Sequence, residues 1–254
     1  TIILALAKYY NDIRFENIRK ISFLFFPFLI LIIPFAFVVI QPDLGTSLSI
    51  IILGAFILFA AGVRIWKFLL GIMATIISIP IFLQYIKPYQ RDRIISFLNP
   101  ESDPLGQGYQ LIQSKIALGS GGATGKGFLQ GTQSYLEYLP EKQTDFIFTL
   151  IGEEFGFLGT IFIILIFILL IAVCYFISIK CFHTFGRILA LGVASNVFIY
   201  VFMNIAMVSG LMPVVGIPLP LISYGGSVML SIMISMGLVL NVEINYNLKK
   251  LNNA

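Results

Sequence analysis

Long apolar blocks alternate with short polar segments along this chain, and each block is about as long as the roughly 20 residues that cross a bilayer as an α-helix. On that reading six full spans run from Ile21 to Ile40, Thr46 to Gly62, Phe68 to Ile86, Phe155 to Ile179, Ile188 to Val208 and Ser227 to Val242. A shorter run, Thr1 to Ala7, makes only about 10 Å of helix at 1.5 Å per residue and lacks the basic start and cleavage site of a signal peptide. It reads as the tail of a span whose beginning is missing. The expected fold is an all-α polytopic membrane protein, with six full transmembrane helices, an N-terminal helix stub and one large extracytoplasmic loop.

Composition agrees with the pattern. The 254 residues are 58% hydrophobic and 11% charged, against about a quarter charged in an ordinary soluble domain, so a water-soluble fold is excluded. The formal charge of +4 says less than the placement of basic residues, because lysine and arginine in short loops set orientation. With residues 8 to 20 in the cytoplasm, Lys8, Arg14, Arg19, Lys20, Arg64, Lys67, Lys180, Arg187, Lys249 and Lys250 all fall inside, ten of the sixteen basic residues. Nine of the twelve acids then fall outside. Nothing in this distribution implies nucleic-acid binding. Cys174 and Cys181, with His183 nearby, have no metal-ligand spacing.

The exception to short connections is the stretch from Lys87 to about Glu154, nearly seventy residues placed outside by this orientation. Glycine, proline and charge throughout prevent it from spanning. A connection this long signals a functional loop or a small domain. The chain reads as one membrane domain, 1–254, with the 87–154 loop as its large extracytoplasmic segment. A second outward segment, Ser209 to Ser227, is rich in proline and glycine and is expected to dip into the membrane edge as irregular backbone, which is tolerated only where protein or water covers it.

Several residues in these segments carry candidate chemistry. GSGGATGKG, residues 119 to 127, invites a phosphate-loop reading, but the first glycine of that motif would fall on Ser120, and Gly127 follows Lys126 where serine or threonine is needed. A flexible glycine turn is the expectation, with a phosphate on the amides beside Lys126 as the alternative. Asp145, in PEKQTDFIF, sits at the start of the apolar run leading into the fourth span, where a helix cap and a general base are both open readings. If the helix starts there, Asp145, Thr149 and Glu153 share a face. Asp43, in QPDLGTS, has the position of a turn and cap. Asn196, Tyr200 and Asn204 recur every four residues in the fifth span, a spacing suited to hydrogen bonds between packed helices. Arg91, Arg93 and Lys115 are cations on the outer side that could clamp a pyrophosphate.

Longer stretches resemble a known family. QPDLGTS, LNPESDPLGQGYQLIQSKIALGSGG, GKGFLQGTQS, LPEKQTDFIF followed by GEEFG, and NIAMVSGLMPVVGIPLPLISYGGS are similar to the SEDS family of shape, elongation, division and sporulation proteins, and to its elongation branch, the RodA-like proteins, more than to its division branch. The match runs from about Gln41 to the sixth span. The resemblance implies a membrane glycosyltransferase that polymerises lipid II into glycan strands on the outer face of the bacterial cytoplasmic membrane, during elongation and rod-shape maintenance. It implies a class B penicillin-binding protein as partner. In that family the catalytic acid lies in the TDF motif, which corresponds to Asp145 here. The resemblance also implies that Arg91, Arg93, Lys115 and Lys126, or a divalent cation such as Mg or Mn, stabilise the leaving pyrophosphate. Asp43, Glu153, Ser223 and Tyr224 are further substrate-binding candidates. The family has ten spans, and this chain has the counterparts of the last six with a stub. A lipid II flippase and a non-catalytic membrane scaffold for a penicillin-binding protein are the alternatives; chemistry requires Asp145 outside, and neither alternative does.

The orientation is testable directly. Cysteine at position 126 should react with an impermeant thiol reagent when only the outer envelope is permeable, while cysteine at 64 or 187 should not. Protection at 126 with labelling at 64 would reverse the assignment.

Overall fold

The computed structural model describes residues 1–13, 20–84, 88–103, 106–132 and 143–252, with backbone alone for 79–84, 88–89 and 247–252. Arg14, Arg19, Lys87 and Lys142 lie outside the described residues. The helices are α1 (Ile2–Asn11), α2 (Phe25–Ile40, entered through a 3-10 turn at Ile21–Leu24), α3 (Leu44–Ala60), α4 (Ile65–Gln84), α5 (Pro88–Leu98), α6 (Gln107–Ser120), α7 (Ile147–Lys180), α8 (Thr184–Val208) and α9 (Gly226–Asn252). A 3-10 turn at Pro100–Ser102 separates α5 from α6.

These helices correspond to the expected spans and make the chain an all-α, polytopic membrane protein. The 21–40 segment, α7, α8 and the first part of α9 are long and apolar enough to cross a membrane. α4 has 20 residues, and α3, with 17 residues, sits at the lower limit of a span. Large apolar side chains are exposed along them, as with Ile40 at 71%, Phe37 at 65% and Phe162 at 63%. In water this would be an aggregating surface; against lipid it is the expected one. α8 differs, with most of its apolar length buried.

Local chemistry sets several boundaries. α3 begins at Leu44, slightly before the expected span, because the Asp43 carboxylate accepts from the Thr46 amide at 2.9 Å and satisfies an orphan donor of the first turn. It ends where Gly62 takes φ +97 and the Val63 amide donates back to the Leu58 carbonyl at 3.1 Å, a left-handed glycine cap. Near the start of α6, Asp103 Oδ2 accepts from Ser96 Oγ at 3.0 Å and the Gly108 amide at 3.3 Å. The Gly108 bond, with that of Ser96, holds this carboxyl below the usual aspartate range.

Contacts divide the chain into two compact units. The first gathers Thr1–Ile79, Leu169–Ile199 and Leu230–Ala254. Its core joins Cys174, Ile177, Ala190, Val193, Ala194 and Val239, and α2 packs on α3 with the Leu31 side chain pressed against Gly54. Cys174 and Cys181 are buried free thiols.

The second unit is Pro80–Ile168 with Tyr200–Met229. Here α7 departs from the expected span. It starts at Ile147 and breaks at Gly156, whose φ of +65 and ψ of −160 are not helical. The expected start at Phe155 therefore falls at the break, and one further helical segment precedes it. Gly121–Gly127 covers the break. The amides of Phe157 and Leu158 donate to the carbonyls of Gly122 and Ala123 at 2.9 and 3.1 Å, and those of Lys126 and Gly127 donate to Glu153 and Glu154 at 3.0 Å each. The glycine-rich segment is thus a fixed brace, which corrects the expectation of a flexible turn. It also uses the amides that a phosphate would need.

The brace has a steric requirement. Gly125 has φ +82, and a side chain there would run into the Glu154 carbonyl. Gly125→Ala should cost about 1 to 3 kcal/mol from backbone strain and overpacking. Gly119→Ala, inside α6 and facing open space, should be neutral or stabilising by up to about 1 kcal/mol. Thermal unfolding of the solubilised protein, followed by loss of helix signal, separates the two; equal midpoints would remove the brace from the account of stability.

Candidate active site

Asp145 lies in a turn at 143–146, immediately before α7, and is half-buried. It is not the first residue of the helix, so the shared face expected for Asp145, Thr149 and Glu153 does not form as a single helical register. What holds the turn comes from far away in sequence. The Gln143 carbonyl accepts from the Tyr224 amide at 2.9 Å. The Thr144 carbonyl accepts from Ser223 Oγ. The Asp145 carbonyl accepts from Asn204 Nδ2 at 2.8 Å. Three successive carbonyls of the motif are therefore captured by the end of α8 and the irregular segment after it.

Each capturing group is itself fixed. Asn204 is completely buried, and its Nδ2 also donates to the Ile217 carbonyl at 2.7 Å. Ser223 Oγ accepts from the Leu219 amide at 2.7 Å. The Asp145 carboxylate faces this same segment: a methyl group built on Gly216, which has φ +69, would stand 3.2 Å from Asp145 Oδ2. On α6, beside α7, the buried Ser114 hydroxyl donates to the Val208 carbonyl at 2.8 Å. That single proton being used, Thr149 Oγ1 must donate to Ser114 Oγ across 2.8 Å. α6 is thereby tied to α7 and α8 beside the Asp145 turn.

The charged groups fall into distinct environments. Lys115 follows Ser114 on α6, is exposed, and lays its side chain along the backbone of Gly210. Lys126 instead forms an ion pair with Glu153 at 2.8 Å, and its ammonium also donates to Thr132 Oγ1 at 2.8 Å. The Glu153 side chain is fully buried. Lys126 is thus held firmly, not loosely as its glycine-rich surroundings suggested. Arg91 is exposed and Arg93 half-buried on α5, which packs on α6 and the 100–102 turn. Asp43 belongs to the other unit and serves as the α3 cap. Among the described residues no three histidine, cysteine or acidic side chains come together as a metal site, and Glu153 already faces the Lys126 cation. Glu153 is therefore engaged by a cation of the chain itself.

Of the candidate residues, Asp145 and Ser223 are brought together, although Ser223 is buried and its hydroxyl is engaged by backbone. Tyr224 contributes its amide to the turn while its ring is 79% exposed. The spacing of Asn204 in the sequence suggests packing between helices or a polar substrate path; its grip on the Asp145 carbonyl has no local sequence signal. Gly216 had no sequence signal beyond its place in a proline-rich segment.

The cell cycle protein family that groups FtsW, RodA and SpoVE matches residues 1–248. The chain is 48% identical over 217 residues to the peptidoglycan glycosyltransferase MrdB of Escherichia coli K12, a match covering 84% of this chain and 58% of that protein. The chain thus spans little more than half the length of that relative. Its fold is similar to a chain in a peptidoglycan synthase complex that coordinates polymerization and crosslinking, with a TM-score of 0.79, 32% identity, and coverage of 96% of this chain and 68% of that one. The rod shape determining protein RodA of Thermus thermophilus shares the fold, with a TM-score of 0.64 at 24% identity, over 96% of this chain and 63% of that one.

The ion pair at Glu153 makes a prediction independent of these likenesses. Lys126→Met strands a fully buried carboxylate without the Lys126 ammonium and should destabilise by about 3 to 5 kcal/mol. Adding Glu153→Gln should recover most of that loss in thermal unfolding. A double variant no more stable than the single one would mean that the pair is not coupled.

Proposed function

The chain belongs to the cell cycle protein family of FtsW, RodA and SpoVE, and from that membership and the geometry around Asp145 we propose that it acts as a peptidoglycan glycosyltransferase, polymerising lipid II. The observation that carries this reading is the Asp145 turn: a half-buried carboxylate beside a positive-φ glycine, on backbone pinned at three consecutive carbonyls. A general base must hold its lone pair within hydrogen-bond reach of the proton that it takes, and a pinned turn meets that need better than a fraying helix end.

In the proposed reaction the Asp145 carboxylate accepts the proton of the acceptor sugar's 4-hydroxyl. That oxygen forms its bond to the donor's anomeric carbon as the bond from this carbon to the lipid pyrophosphate breaks. The pyrophosphate leaves with the bonding electrons, and a single displacement turns the α-linked donor into a β-linked product. Among the described residues Lys115 is the cation we assign to the leaving group. It is exposed and lies on the Gly210 backbone, in the segment that carries Gly216. Lys126, paired with Glu153, is assigned to structure. Arg91 and Arg93 remain candidates for the more distant parts of the donor. The reading places the protein in the bacterial cytoplasmic membrane, with this site on the outer face, beside a class B penicillin-binding protein and surrounding lipids.

Substitution of Asp145 tests the assignment. Asparagine caps a helix nearly as well as aspartate but accepts no proton. Asp145→Asn should therefore insert normally and lose about a hundredfold or more of its turnover of labelled lipid II, with Lys115→Gln losing less. Polymerisation by Asp145→Asn at the wild-type rate would leave a flippase or scaffold as the better reading.

A further inference from the structure

Asp145 contributes the carboxylate, but the direction in which it points is set by backbone, and that backbone is held by side chains outside its own motif. Ser223 has one proton and directs it to the Thr144 carbonyl, while its oxygen receives the Leu219 amide. The chain can turn back on itself there because Leu221 adopts φ +62, a conformation that a leucine keeps only where surroundings impose it. The amides of Ile222 and Ser223 both return to the Leu219 carbonyl, at 3.3 and 2.9 Å. Asn204 spans from the Asp145 carbonyl to that of Ile217, so it joins the turn to the residue beside Gly216, the glycine that Asp145 Oδ2 approaches. Its Oδ1 is buried with no hydrogen-bond partner. An amide bearing such an orphan acceptor is costly, and its two carbonyl contacts fix which way it faces.

The geometry points to Asn204 and Ser223 as positioning residues for Asp145: together with the Tyr224 amide they form a latch that grips the carbonyls of 143, 144 and 145 and sets the aim of the carboxylate. This rests on Asp145 being the base of the proposed reaction. It also reassigns Ser223, a substrate-binding candidate by resemblance, to a role that acts through Asp145. The consequence is coupling: whatever shifts the 209–225 segment shifts the base, because no bond of the latch is local to the 143–146 turn.

The test compares Ser223→Ala, Ser223→Thr and Asn204→Ala in membranes containing the protein. Fluorescent lipid II serves as substrate, and Asp145→Asn as the inactive reference. A displaced reacting group can cost about a hundredfold, so Ser223→Ala and Asn204→Ala should lower kcat by about tenfold to a hundredfold with KM nearly unchanged. The acid limb of the pH profile should move, and Ser223→Thr, which keeps the hydroxyl, should recover most of the rate. A second measurement does not depend on activity. With cysteine at position 145, the rate of reaction with an impermeant thiol reagent should change several-fold when Ser223→Ala is added. A purely structural role predicts otherwise: less protein in the membrane, with kcat per molecule, pH profile and thiol reactivity unchanged. That result, or wild-type kcat and unchanged thiol reactivity in the alanine variants, would overturn the latch. If Asp145→Asn itself retains full turnover, the enzymatic reading fails, and the thiol measurement still decides whether the latch positions residue 145.

Discussion

A break in a helix exposes amides and carbonyls that lipid cannot satisfy, and in this chain the break at Gly156 is closed by four backbone bonds to residues 122–127. Two run from α7 to the brace and two run back, so both edges are satisfied at once. The approach is close enough that side chains on Gly125 or Gly156 would meet backbone. Much of the second unit follows from this contact. The brace ends α6, delivers Lys126 to Glu153, and holds the segment of α7 that starts two residues after Asp145.

The charges are arranged around the same contact. Removing a carboxylate from water is expensive unless a counter-charge and hydrogen bonds accompany it, and Glu153 has both in Lys126 and the Thr132 hydroxyl. Asp145, half-buried in its turn, stays partly open to its surroundings. Two acids eight residues apart thus stand in different environments, one fully buried against a counter-charge and the other half-buried in a turn. Lys126 and Lys115 divide likewise, one half-buried and paired with Glu153, the other laid exposed along Gly210.

A turn held by carbonyl capture differs from one held by its own helix. Helical bonds begin only at Phe146, whose carbonyl accepts from Thr149 and Leu150, so residues 143–145 depend on Tyr224, Ser223 and Asn204. The irregular segment that supplies two of these is rich in proline and glycine. Its order comes from the bonds it makes to the turn and to itself, and each stabilises the other.

The sequence by itself determined what depends on neighbouring residues. Apolar block length located the spans, the Asp43 and Thr46 spacing foretold a cap, and the local sequence around Asp145 left a cap and a base both open. Resemblance to a family, through the TDF motif, singled out Asp145, but nothing local showed what would hold it. Only the tertiary structure decided that the glycine-rich segment is a brace, that Lys126 belongs to Glu153, and that Ser223 and Asn204 grip the Asp145 turn. The physical reason is range. A cap or a span is written in bonds three or four residues long, whereas Asn204 reaches Asp145 across 59 residues and Ser223 reaches Thr144 across 79. Carbonyl groups carry no side-chain identity by which a sequence could announce such pairings.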